Sequence, residues 1–198
     1  MNLYFNHLIY IIMLNIIFFD MSEDIVNEYQ KKLSYLTNKN IKLNFVTSSF
    51  QNLINNYHIN ITVSPANSWG SFNGGIDREF KKLYPNLEIQ TRDIIDNKKY
   101  ALCERGYYLP VGKAIFVEIN HKKLKYLLVA PTMFLPKDIR GTMNVYLAFT
   151  AILEKIYKLN DVTVACSGLG TGIGAISAKE SAEQIHQAFN DFFMNNSA

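Results

Sequence analysis

The stretch "VACSGLGTGIGAISAKE", Val164 to Glu180, places Gly168, Gly170, Gly172 and Gly174 within seven residues, between an apolar run and a helical pattern. Glycine bares its amide and adopts backbone conformations that a side chain forbids. A cluster of glycines between a strand and a helix can therefore wrap its N–H groups around an anion. Ser177 and Glu180 have the spacing of a capping box and mark where the helix begins. Two common phosphate motifs do not fit. A Walker loop needs Lys and Ser/Thr after its last glycine, whereas Gly174 is followed by Ala175 and Ile176. A dinucleotide fingerprint opens the first strand–helix–strand unit, whereas this loop precedes the final helix. What remains is an anion held by main-chain amides and the dipole of the last helix, without a lysine.

The chain before this loop alternates strands and helices. Ile25, Val26, Tyr29, Leu33 and Leu36 recur at helical spacing behind a Ser22 cap. A strand is expected over Ile41 to Val46, a helix with Phe50, Leu53, Ile54 and Tyr57 on one face, and a buried strand over Ile59 to Val63. After a loop from Ser64 to Gly75, a helix turns Ile76, Phe80 and Leu83 inward. "LEIQTRDIIDNKKYALCERG" (Leu87 to Gly106) has a weak helical pattern that fits one helix or two short ones. "YYLPVGKAIFVEI" reads as strand interrupted at Pro110 and Gly112, and "NHKK" then turns the chain into a second strand, Lys125 to Ala130, forming a hairpin. The strongest helix carries Val145, Phe149, Ile152, Leu153 and Ile156 on a wide apolar face; strand "DVTVAC" follows, and the last helix buries Ala182, Ile185 and either His186 or Phe189.

This alternation indicates an α/β fold, a three-layer αβα sandwich with a mixed, largely parallel sheet that carries an antiparallel hairpin. Ligands of such sheets gather beyond the carboxyl ends of the strands. Two glycine-bearing loops leave strand ends: "SPANSWGSFNGGID" after Val63 and "SGLGTGIGAIS" after Cys166.

The 198 residues, 48% hydrophobic, suit one globular unit, expected over residues 22–198. A net charge of +3, with no Lys/Arg stripe interleaved with aromatics, gives no sign of nucleic-acid binding. Cys103 and Cys166 lack the spacing of a zinc or redox pair and are expected to be reduced thiols of a cytoplasmic chain. His58, His121 and His186 share no ligand spacing, so neither a metal nor a cofactor is expected. "HKKLK" (His121 to Lys125) reads as a solvated hairpin tip. Residues 1–21 stand apart. "LYFNHLIYIIMLNIIFF" (Leu3 to Phe19) is apolar but interrupted by Asn6, His7 and Asn15, and falls short of the about 20 apolar residues that cross a bilayer. It reads either as a leader ahead of an alternative start at Met21 or as a membrane anchor.

With both loops in view, the chain resembles the macro domains that bind ADP-ribose and its derivatives. The resemblance rests on "ITVSPANSWGSFNGGIDREF", with its strand, Asn-containing loop and Gly-Gly-x-Asp segment, and on "VACSGLGTGIG" about a hundred residues later. It covers roughly Ile41 to Phe193. It implies that Ala66, Asn67, Gly74, Gly75 and Ile76 surround the distal ribose. It also implies that Ser167, Gly168, Leu169, Gly170, Thr171, Gly172, Ile173 and Gly174 wrap the diphosphate. Asn offers a ribose diol both a donor and an acceptor, although a turn role for Asn67 is equally in character for the residue.

Asp77 matches an aspartate found in those family members that hydrolyse ADP-ribose from proteins, and a carboxylate there can deprotonate a water attacking the anomeric carbon. Its structural alternative is a first-turn acid favoured by the helix dipole, or paired with Arg78 or a nearby lysine. One departure stands out: where many macro domains carry a Gly-Asp-Ile whose aspartate grips the adenine amino group, this chain has "VTSSFQ". Ser48 or Ser49 leaves one neutral acceptor there, a loss of about 1–3 kcal/mol of adenine selectivity if nothing replaces it. The resemblance therefore implies ADP-ribose or an ADP-ribosylated acceptor as partner. The expected activity is mono-ADP-ribosyl hydrolysis or dephosphorylation of ADP-ribose phosphate, with Asp77 and Asn67 catalytic, or alternatively non-catalytic reading of the modification.

Overall fold

The computed structural model describes residues 14–38, 40–119, 121, 124–157 and 159–196. Strands β1 (Leu14–Asp20), β2 (Ile41–Thr47), β3 (Ile61–Ser64), β6 (Ile115–Glu118), β7 (Tyr126–Val129) and β8 (Thr163–Ser167) form one sheet in the order β2-β1-β8-β3-β7-β6. All neighbours run parallel except β6, which pairs antiparallel with β7 at the edge as the expected hairpin. Helices α1 (Glu23–Leu33), α5 (Asn144–Ile156) and α6 (Ala178–Asn196) share one apolar core with the sheet. Helices α2 (Phe50–Asn56), α3 (Gly75–Leu83) and α4 (Leu87–Lys98) share the other. The architecture is the three-layer αβα sandwich that the pattern implies.

Most helix signals act as written. The whole expected face of α5 is buried, Ser49 caps α2 by accepting the Asn52 amide, and Ser177 caps α6 by accepting the Glu180 amide. Ser22 sits at the N-cap of α1 but its side chain makes no capping bond; instead its own amide donates to Asp20. Leu87 to Gly106 is one helix followed by a separate two-stranded ribbon, β4 (Ala101–Cys103) with β5 (Gly106–Tyr108). Leu83 and Tyr57, expected inward, end their helices exposed.

The largest difference lies at the start of the chain. Leu14–Asp20, which falls in the expected leader of residues 1–21 because it is mostly apolar, is an interior strand between β2 and β8. Leu14, Ile16 and Phe18 enter one core while Ile17 and Phe19 enter the other. A parallel strand covered on both faces reads as a continuous apolar run, which is also how a leader reads. The domain therefore begins at or before Leu14, not at residue 22. Residues 1–13 of the expected leader lie outside the described residues. Among the described residues no helix is long and apolar enough to cross a membrane.

Phe18 is fully buried, edge-on to Tyr29 at 5.3 Å and within 6 Å of the Phe45 and Phe149 rings. A chain begun at Met21 loses β1 and opens both cores. It is expected to lack a cooperative thermal transition by circular dichroism, and Phe18→Ala in the full chain to lose about 3–5 kcal/mol in denaturant titration. A Met21 chain melting like the full one would contradict this role for β1.

Candidate functional site

β3 and β8 are adjacent and parallel, with Ile61 opposite Val164 and Thr62 opposite Ala165. Their following loops therefore leave the same edge of the sheet side by side. Between them lies a cleft of about 1040 Å³, large enough for a nucleotide-sized ligand. The two loops touch. A Cβ built on Gly74 would come within 2.5 Å of Ile173 Cδ1, so the absent side chain at Gly74 lets Ile173 reach across the opening.

The β8–α6 loop is held from beneath by a buried knot. The Leu169 amide donates to Tyr29 Oη at 3.0 Å, and Ser181 Oγ donates to the Leu169 carbonyl at 2.8 Å. Tyr29 Oη and Ser181 Oγ lie 2.6 Å apart, and since the serine proton goes to Leu169, the tyrosine is the donor of this pair. Leu169 is thus an anchor and not a wall: it is fully buried, both its main-chain groups are used, and it does not line the cleft, contrary to expectation. Ser167, Gly168, Gly170, Thr171, Gly172, Ile173 and Gly174 do line it. The Gly168 amide is taken by Asp20, whereas the amides of Gly170 to Gly174 have no acceptor among the described residues. Ser167 Oγ is buried without a protein partner, as is Trp69 Nε1, and both residues line the cleft. Gly170 has φ +71°, and a Cβ there would meet Val145 Cγ2 at 2.8 Å, so that glycine is required by the fold itself.

The β3–α3 loop supplies Ala66, Asn67 and Gly74 to the same cleft, and the first turn of α3 supplies Gly75, Ile76 and Asp77. Asn67 shapes its own loop: Oδ1 accepts the amides of Trp69 at 3.0 Å and Ser71 at 3.4 Å, and Nδ2 donates to the Ser71 carbonyl at 3.4 Å. This is the turn role its residue type allows.

Asp77 is 7% exposed. Its partner is neither Arg78, which donates to the Asn73 carbonyl, nor a lysine, but Ser64, whose Oγ donates to Asp77 Oδ1 at 2.6 Å. Burial pushes its carboxyl up to about 7, with the Ser64 bond pulling the other way.

Ser48 and Ser49 also line the cleft, together with a carboxylate that sequence reasoning missed. Asp20, the last residue of β1, lines the cleft. Its carbonyl accepts the Ser48 amide at 2.9 Å, and its carboxylate accepts the Ser22 amide at 3.0 Å and the Gly168 amide at 3.2 Å. The signal is present in the chain as an acid closing an apolar strand-like run, but that run reads equally as part of a leader. Phe19, Ile25 and Phe50 supply apolar wall beside it. Burial pushes the Cys166 thiol well above its usual range, consistent with an inert core residue. Among the described residues no group of three His, Cys, Asp or Glu side chains is placed to hold a metal ion.

The raised Asp77 carboxyl makes stability depend on pH. The folded state holds this proton up to about pH 7, whereas an unfolded aspartate releases it near 4. Between those values the folded state binds more protons, so this contribution to stability falls as pH rises through the window. Asp77→Asn keeps the shape without the charge. Its melting temperature relative to the wild type is expected to climb between pH 4 and pH 7 and then level off; a difference independent of pH would contradict the assignment.

Three kinds of comparison bear on the family and the fold. Residues 63–185 match the family model described as Macro domain. A protein of Aquifex aeolicus (strain VF5), described as uncharacterized, is 30% identical over 132 residues, 67% of this chain and 73% of that one. Among solved structures, the macrodomain of Mycobacterium tuberculosis DarG superposes with a TM-score of 0.56 at 19% identity, covering 69% of this chain and 84% of that one. The Oceanobacillus iheyensis macrodomain with ADP gives 0.56 at 19%, covering 72% and 74%. Thermosipho africanus DarTG in complex with ADP-ribose gives 0.56 at 13%, covering 87% of this chain and 49% of that one. At such identities the solved structures speak for the fold, and the match over residues 63–185 speaks for the family: this chain belongs to the macro domains.

Proposed function

We propose that this macro domain binds ADP-ribose in the cleft between its two glycine loops and hydrolyses it from a modified acceptor. The observation that carries the reading is the meeting of unpartnered main-chain amides with a buried carboxyl in one cleft. The amides of Gly170 to Gly174 and the hydroxyl of Ser167 are donors without acceptors among the described residues, and a diphosphate supplies acceptors with charge that suits the nearby N-terminus of α6. ADP is held by the Oceanobacillus iheyensis macrodomain and ADP-ribose by Thermosipho africanus DarTG, both of similar fold.

In this reading the diphosphate lies along the β8–α6 loop, the distal ribose lies beside Gly74, Gly75 and Asp77, and the base lies toward Ser48, Ser49 and Asp20. Asn67 keeps the ribose loop in shape and retains one amide proton for a sugar hydroxyl. Asp77, ionised, takes a proton from water. The water oxygen bonds to the anomeric carbon as the bond from that carbon to the acceptor breaks, and the acceptor departs with the electron pair and is protonated. A carboxyl held near 7 suits a base that both accepts and returns a proton at neutral pH. At the base end, Asp20 offers from β1 the charged acceptor missing from the Ser48–Ser49 position, placed to receive an exocyclic amino group.

Calorimetry with ADP-ribose, together with release of ADP-ribose from a modified protein, tests the catalytic claim. Wild type is expected to bind and turn over, with a rate that rises with pH through about 7 as Asp77 ionises. Asp77→Ala is expected to lose about 10²–10⁴-fold in turnover. Binding without turnover in the wild type would make the domain a reader of the modification, and turnover surviving Asp77→Ala would remove the assigned role.

The Asp20 assignment is tested by comparing ADP-ribose with its inosine analogue, which lacks the amino group. The wild type is expected to prefer ADP-ribose by an amount worth about 1–3 kcal/mol, and Asp20→Ala to abolish the preference. A variant that weakens both ligands equally would show that Asp20 serves only to hold Ser22 and Gly168.

A further inference from the structure

Ser64 is the last residue of β3 and is fully buried. Its carbonyl accepts the Ala130 amide at 2.9 Å, which fixes the residue to the end of the neighbouring strand β7. The Ala66 amide donates to Ser64 Oγ at 3.4 Å, so one lone pair of that oxygen is engaged and its own proton is directed elsewhere. That proton goes to Asp77 Oδ1 across 2.6 Å, within the range of hydroxyl bonds to an ionised carboxylate. The hydroxyl thus has one direction, from strand to helix.

We propose that Ser64 is a positioning residue for the reaction: it grips Asp77 by one carboxylate oxygen, stabilises the charged form of that carboxylate, and leaves the second oxygen for the attacking water. The proposal rests on the reading of Asp77 as the base.

The surroundings leave this task to Ser64. On α3, Arg78 donates to the Asn73 carbonyl, Lys81 pairs with Glu88 of α4, and Lys82 pairs with Glu79. From β1, Asp20 lines the same cleft but holds the Ser22 and Gly168 amides. The β8–α6 loop brings no charged side chain to the cleft, and Ser48, Ser49 and Thr132, which line it from other elements, are neutral. Burial and the Ser64 bond are accordingly the two influences acting on the Asp77 carboxyl, in opposite directions. Removing the hydroxyl leaves only the one that favours the neutral acid, which cannot act as a base.

The test is a carbon-13 NMR titration of the Asp77 carboxyl in the full chain, assigned with Asp77→Asn, alongside the pH profile of ADP-ribose release. In Ser64→Ala the titration midpoint is expected to rise by about one pH unit, and the acid limb of the rate profile to move with it, while affinity for ADP-ribose stays within about twofold. Ser64→Thr, which retains the donor, is expected to restore both. Should Ser64→Ala not fold, Ser64→Cys preserves the volume with a weaker donor and is expected to shift the midpoint in the same direction. A midpoint unmoved by loss of the donor overturns the proposal, even if turnover falls. A midpoint that moves in a protein without turnover in any variant upholds the Ser64 contact and sinks instead the reading of Asp77 as a catalytic base.

Discussion

Parallel pairing of β3 with β8 is the constraint on which the site depends. Two loops some hundred residues apart in sequence face each other because the strands before them are neighbours running in one direction, so both loops emerge at the carboxyl edge of the sheet. Everything local is arranged around that meeting. Gly74 gives up a side chain so that Ile173 can lie against it. The Tyr29–Ser181–Leu169 knot ties the later loop to α1 and α6, so its remaining amides are held in place, and the loop itself carries no lysine. Binding by fixed peptide dipoles costs little reorganisation when the ligand arrives, which is the advantage of a rigid loop over a flexible basic side chain.

Two of the acids that line this cleft, Asp20 and Asp77, sit in different environments. Asp20 receives two amides and sits partly exposed at one end. Asp77 is buried at the other with a single hydroxyl donor, and its proton is correspondingly hard to remove. On the proposed reading Asp77 must ionise to act, and ionising a buried carboxyl weakens the folded state at neutral pH, a local cost of the kind that activity sets against stability. The surrounding cores are large and apolar on both faces of the sheet.

Much of this was legible in the sequence, for identifiable reasons. The helical face of α5, the caps of α2 and α6 and the hairpin of β6 and β7 each follow from local periodicity or a short-range bond, and these signals survive without tertiary knowledge. The two glycine loops were legible because each follows an apolar strand-like run, at the edge of the sheet where ligands of such folds gather. What was hidden depends on contacts between distant parts of the chain. β1 reads like a leader because burial on both faces erases the alternation that marks a half-exposed strand. With β1 misplaced, Asp20 was lost too, and the base end of the cleft looked stripped of its acid. Leu169 reads from the sequence like its loop neighbours, because sequence shows that a loop is present but not which of its residues point inward. Ser64, one position beyond the expected strand, drew no attention, since only the fold brings it against Asp77.

The central claim is that both glycine loops grip one ligand through peptide nitrogens. Nitrogen-15 NMR titration with ADP-ribose addresses it most directly, because it reads each amide separately. The account predicts that the amides of Gly170, Gly172 and Gly174 and those of Gly74 and Gly75 shift together and saturate at the same ligand concentration. Shifts confined to one loop, or two loops saturating at different concentrations, would contradict it.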